Sequence, residues 1–150
     1  MRADGARAEA ARVMETPTFL WSLLCDYFLI DQAGKYSFIG VFDRIGAAAF
    51  PVVQRSFYVA VSLEGPPNTT TPALLDVWSP EGTLLISTPD SRLQFSAAGR
   101  AMFVNLIFDL QLPVPGAYSI TVEAGGRPVA SIPFDVYLAP APSTQPPPLA

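Results

Sequence analysis

The sequence predicts an all-β protein, folded as a single antiparallel β-sandwich, and three observations carry that expectation. Apolar and polar residues alternate with a period of two in at least four runs, as strands with one buried face require. Half of the 150 residues are hydrophobic, while 16 prolines and 10 glycines punctuate them. That mixture is too apolar for disorder and too often interrupted for a helical bundle. Finally, no run has the length and 3.6-residue spacing of a useful helix.

Taken in order, Phe19–Ile30 and Tyr36–Ile45 are the first strand-like runs, separated by Asp31-Gln32-Ala33-Gly34-Lys35, where the glycine is placed for a hairpin turn. Ser56–Leu63 alternates cleanly and turns Phe57, Val59, Val61 and Leu63 inward. Gly65–Pro72 reads as the longest loop and the most mobile one. Leu74–Trp78 and Thr83–Ser87 flank Ser79-Pro80-Glu81-Gly82, in which proline pre-sets φ and glycine accepts a positive φ. Leu93–Ala97 is a short strand. Ala101–Leu110 places Met102, Val104, Leu106, Phe108 and Leu110 on one face.

The end of the chain is the most explicit. Tyr118, Ile120, Val122 and Ala124 alternate with Ser119, Thr121 and Glu123, and Gly125-Gly126 supplies the positive φ angles of a tight turn. The return run repeats the pattern, with Ala130, Ile132, Phe134, Val136 and Leu138 on one face. The expectation is therefore about eight or nine strands over residues 18–138, immunoglobulin-like or C2-like. Residues 1–17 form an Ala- and Arg-rich extension, disordered or weakly helical, within which Met14 is an alternative start. Residues 139–150 form a Pro-rich disordered tail without a P-x-x-P unit.

Charge and cysteine usage exclude several classes of function. The net charge is −4 and the nine basic residues are scattered, so no electrostatic footprint for nucleic acid or an anionic membrane is present. No segment reaches the ~18 apolar residues of a membrane helix. Cys25 is the single cysteine, which rules out an intrachain disulfide and favours a reducing, cytoplasmic setting. Leu23-Leu24-Cys25 lacks the small residues of a lipoprotein cleavage box, so Cys25 is expected to be a small buried strand residue. Asn68-Thr69-Thr70 matches a glycosylation acceptor, but it is discounted for want of a secretory signal.

Catalytic chemistry finds little material. There is no histidine, which removes Ser-His-Asp and Cys-His systems, zinc sites of the H-E-x-x-H type and imidazole acid-base catalysis. No glycine-rich phosphate cradle precedes a helix, and no cofactor is implied. Carboxylates are the only acid-base material left; Asp26, Asp31, Asp43, Asp76, Asp90 and Asp109 lie in or near strands and turns, and no D-x-D spacing groups them. They are expected to cap turns and solvate strand ends. The alternative is a carboxylate-based hydrolase or a calcium- or ligand-binding sandwich.

One physical anomaly stands out. Phe19–Ile30 is apolar on both faces, at Phe19, Trp21, Leu23, Tyr27 and Leu29 and also at Leu20, Leu24, Phe28 and Ile30. Either the strand is covered by the protein's own loops and termini, or it offers an apolar patch to a protein partner or a twin subunit. On the second reading Trp21, Tyr27, Phe28, Leu20 and Leu24 are the candidate interface residues, aromatic types that suit interface anchors among them. The expected function is then a non-catalytic interaction or scaffold module rather than an enzyme.

Leu24-Cys25-Asp26, Gly34-Lys35, Gly40-Val41-Phe42, Phe50-Pro51 and Pro115-Gly116-Ala117-Tyr118, in that order and at these separations, resemble an uncharacterised family of short bacterial proteins, a domain of unknown function. The likeness runs from about Phe19 to Tyr137. It implies a small cytoplasmic β-sandwich with no assigned activity, and nothing carries over to either end of the chain.

Overall fold

The computed structural model describes residues 16–140, so most of the expected N-terminal extension and tail lie outside the described residues. Ten strands follow in order: β1 (Thr18–Ile30), β2 (Tyr36–Phe42), β3 (Arg44–Ala47), β4 (Val52–Glu64), β5 (Thr70–Trp78), β6 (Leu84–Ser87), β7 (Ser91–Gln94), β8 (Arg100–Leu112), β9 (Gly116–Ala124) and β10 (Arg127–Leu138). They form two facing sheets. One has the order β2-β1-β4-β8 and the other β3-β10-β9-β5. Beyond β5, β6 pairs with Asp76–Trp78 and β7 with Thr70–Ala73, so the two short strands share one edge.

The core lies where the alternation predicts it. Phe57, Val59, Val61 and Leu63 are fully buried and pack across the sandwich against Leu75, Val77, Tyr118, Ile120, Val122, Phe134 and Val136. Aromatic rings set its centre, with Phe57 to Phe134 at 6.3 Å and Phe134 stacked on Tyr118 at 5.4 Å. The β9–β10 hairpin closes on Gly125 (φ +63°) and Gly126 (φ +77°), the two consecutive positive φ angles that a twist-matched two-residue turn demands. Ser79 organises the β5–β6 turn, its Oγ accepting from the Thr83 and Glu81 N–H groups and its carbonyl from the Gly82 N–H.

Two features make the sandwich immunoglobulin-like rather than C2-like. β1, β4 and β8 lie on one sheet and β5, β9 and β10 on the other, the division that this architecture shares. Near the start of β9, the Tyr118 hydroxyl donates to the Val114 carbonyl four residues upstream, which is the tyrosine corner of such domains.

Several sequence expectations need correction. Tyr36–Ile45 is not one strand. The chain leaves the first sheet at Asp43, and β3 joins the second sheet parallel to β10, with Ile45 opposite Val136, so the sandwich is not wholly antiparallel. The inward face of β8 is Ala101, Phe103 and Ile107, whereas Met102, Val104, Leu106 and Phe108 point outward. Asp109, at φ +52°, shifts the alternation by one residue and brings Leu110 and Leu112 into the core. The short strand after β6 is Ser91–Gln94 rather than Leu93–Ala97. Thr70–Pro72 belong to β5, and the remaining loop is pinned by Gly65 N–H to Gly99 O and Asn68 N–H to Ser96 O. Leu138 is exposed rather than part of the core face.

Candidate functional site: a folded-back N-terminal hairpin

β1 and β2 form an antiparallel hairpin whose turn is built by Asp31, its Oδ1 accepting from the Ala33 and Lys35 N–H groups. The near half of β1 pairs with β4, with Leu24 opposite Val59 and Cys25 opposite Tyr58. Its far half does not continue outward. Trp21 and Phe38 meet edge to face with ring centroids 5.9 Å apart, yet Phe38 is the register partner of Phe28, which in a straight strand lies roughly 23 Å beyond Trp21. The hairpin therefore bends back over the outer face of its own sheet.

The bend is at Asp26 and Gly40. Register is the same on both sides of it, with Cys25 opposite Val41 and Tyr27 opposite Ile39. Gly40 has φ +70°, and a Cβ there would overlap the Asp26 carboxylate, so this close approach requires glycine. Beyond the bend a chain of rings runs from Trp21 to Phe38, then to Tyr36 at 6.1 Å, Phe28 at 6.4 Å and Tyr58 at 4.8 Å. Beneath it Cys25 and Ala60 are fully buried and Ser62 nearly so, although they sit on the side away from the core.

The expected interface residues divide accordingly. Leu24 is only 2 % exposed and belongs to the core, because it faces the second sheet; the expectation that it lies at an interface is corrected. Phe28 is half-buried against Tyr58, and Leu20 is half-buried as well. Trp21 is partly exposed and Tyr27 strongly so, at 66 %. Since Phe28 and Phe38 face the sheet, the alternate residues Tyr27, Leu29 and Ile39 face water, and Val41 is exposed beside the bend. Leu29, Ile39 and Val41 were missed as candidates. The signal for Ile39 and Val41 was present in the uncharged run Tyr36-Ser37-Phe38-Ile39-Gly40-Val41-Phe42, and that for Leu29 in the two-faced apolarity of Phe19–Ile30.

The site offers little reactive chemistry. Burial, and secondarily the neighbouring Asp26 carboxylate, push the Cys25 thiol above its usual range, outweighing the opposing hydrogen bond from Tyr27; such a thiol is a poor nucleophile. Where the hairpin tip overhangs the sheet, Gly34 and Tyr36 meet Ser62, Met102 and Val104 around an open groove of about 750 Å³. Among the described residues no three His, Cys, Asp or Glu side chains converge on a point that could hold a metal ion, and no helix is long and apolar enough to cross a membrane.

No curated protein matches the chain. Among solved structures it is similar to an immunoglobulin-like protein from Pseudomonas aeruginosa, at 15 % identity and a TM-score of 0.44, over 82 % of this chain and 98 % of that one. It is also similar to a β-glucosidase from Listeria innocua (10 % identity, TM-score 0.43, 65 % of this chain) and to an alkylpurine DNA glycosylase from Pseudomonas fluorescens (10 %, 0.43, 77 %). The matches span only 15 % and 30 % of those two larger chains. The profile of a family of unknown function, DUF6941, matches residues 20–137, from within β1 to the penultimate residue of β10, and the chain belongs to that family.

Proposed function

We propose that this protein is a non-catalytic interaction module whose working surface is the β1–β2 hairpin. One observation carries the reading: the hairpin directs Tyr27, Leu29 and Ile39 at water on the face opposite its half-buried Phe28 and Phe38 rings, with Leu29 59 % exposed. Scattered single apolar residues are ordinary on a protein surface, whereas a contiguous group on one face is characteristic of interaction sites. Tyrosine among aliphatic neighbours also suits an anchor, since it buries a large area with few rotatable bonds.

A photo-crosslinking residue placed in turn at Tyr27 and at Ile39 tests this in cells that make the protein natively. Both positions should yield protein adducts, while the same residue at exposed Glu123 on β9 should not. Absence of adducts from both hairpin positions would overturn the proposal.

A further inference from the structure

We infer that the edge of β8 remote from β4 takes up an extended, acidic peptide as an added strand, in the groove beside Arg92 and Arg100. This surface is separate from the exposed back of the hairpin and does not depend on it. Among the described residues β8 pairs only with β4. Its stretch Ala101–Phe108 carries no charge and no proline. That stretch keeps one unbroken register, from Ala101 opposite Leu63 to Phe108 opposite Ser56, and ends before the kink at Asp109. Sheet edges are normally blunted by charges, proline, bulges or shortness, and Ala101–Phe108 has none of these. The backbone groups of such an edge can pair with an extended segment from outside.

Charge selects the occupant. The groove of about 750 Å³ follows the first half of this edge, from Arg100 to Asn105, and β7 forms its other wall. A turn closed by the Ser96 N–H on the Arg100 carbonyl joins the two strands, so Arg92 on β7 and Arg100 on β8 flank the groove. Both are exposed, and among the described residues no Asp or Glu lines it, although the chain as a whole carries −4. Glu64, in register with Arg100, belongs to β4 on the side away from the edge. A further observation points to an incoming acceptor. Asn105, half-buried in the groove's wall, has an Nδ2 with no hydrogen-bond partner among the described residues. A donor stranded in this way is destabilising, and an oxygen of a bound strand satisfies it once the amide turns outward. Guanidinium groups suit carboxylates, and the bare strand edge, which a free anion or a nucleic acid does not use, selects a peptide.

Fluorescence anisotropy on the full chain tests this with a labelled, end-capped peptide of alternating glutamate and valine, beside one with lysine in place of glutamate. The glutamate peptide should bind, and the lysine peptide should bind about tenfold more weakly or not at all. Arg92→Ala and Arg100→Ala should each weaken the glutamate peptide about threefold, and together about tenfold. Asn105→Leu, similar in size, should weaken it about fivefold, with circular dichroism verifying that each variant folds. In the unaltered protein, bound peptide should slow amide hydrogen exchange along Ala101–Phe108, because strand addition engages those backbone groups. No binding, equal binding of the two peptides, indifference to all three substitutions, or protection confined to other strands would overturn the inference. The photo-crosslinks from Tyr27 and Ile39 report on the hairpin surface alone, so failure of one surface is distinguishable from failure of the other.

Discussion

Trp21 and Phe38 touch edge to face at 5.9 Å, although the hairpin register separates them by seven strand positions. Their contact means that one chain segment covers another part of the same sheet. A strand apolar on both faces thus finds cover for one face in the core and for the other in the far half of its own hairpin. The cover has its own back, and that back is the exposed surface formed by Tyr27, Leu29 and Ile39.

Gly40 is the residue that permits this bend. Gly40→Ala should destabilise the protein by about 1–2 kcal/mol, from the left-handed backbone alone, with further loss from overlap with Asp26. Because the ring chain loosens, tryptophan emission should move to longer wavelength as Trp21 gains water. Phe38→Ala should shift the emission in the same direction without the backbone penalty, at a loss of at least the roughly 0.5–1.5 kcal/mol of one aromatic pair. Unchanged emission in both variants would contradict the fold-back.

How much of this was legible follows from where apolar residues fall. β4, β9 and β10 alternate with one apolar face apiece, so Phe57, Tyr118 and Phe134 were placed in the core from sequence. β8 defeated the same logic because Met102, Val104, Leu106 and Phe108 on its outer face are as apolar as Ala101, Phe103 and Ile107 on its inner one. Periodicity fixes which residues share a face, and only packing decides which face is inward. The fold-back was half-legible: the two-faced apolarity of Phe19–Ile30 demanded cover, but nothing local distinguishes Gly40 as a bend from a glycine in an ordinary strand. Leu24 was misassigned for the same reason.

Asp109 gives a direct test of the β8 kink. Its φ of +52° disfavours residues with a Cβ, and aspartate tolerates it better than most. Asp109→Ala should lower stability by about 1 kcal/mol, whereas Asp109→Gly should stay within about 0.5 kcal/mol, relief of strain offsetting the freer unfolded chain. Urea midpoints of the two variants settle it. Equal losses would mean that the carboxylate, and not the backbone, holds the kink.

Tyr118 reports on the sandwich itself. Tyr118→Phe keeps the ring stacked on Phe134 and deletes only the hydroxyl that bonds Val114. The expected loss is about 1 kcal/mol, the net worth of one hydrogen bond whose backbone acceptor is left without its partner. A neutral substitution would show that water replaces the hydroxyl at the corner.

Cys25 links the fold-back to pH. Burial first, and the Asp26 charge second, raise its thiol above the ordinary value near 9, so between the unfolded and folded values the native state holds a proton that the unfolded chain releases. The stability this contributes is complete below about pH 9 and is lost as pH rises through the folded value. Tyr118, raised by burial above its ordinary value near 10, acts in the same direction at higher pH. Urea midpoints should therefore begin to fall above pH 9, and Cys25→Ala should remove the earlier part of that fall. The thiol should also react slowly with a disulfide reagent at neutral pH, and faster in Gly40→Ala, where the cover opens. Rapid labelling of the unaltered protein would mean that the hairpin does not stay closed over the sheet.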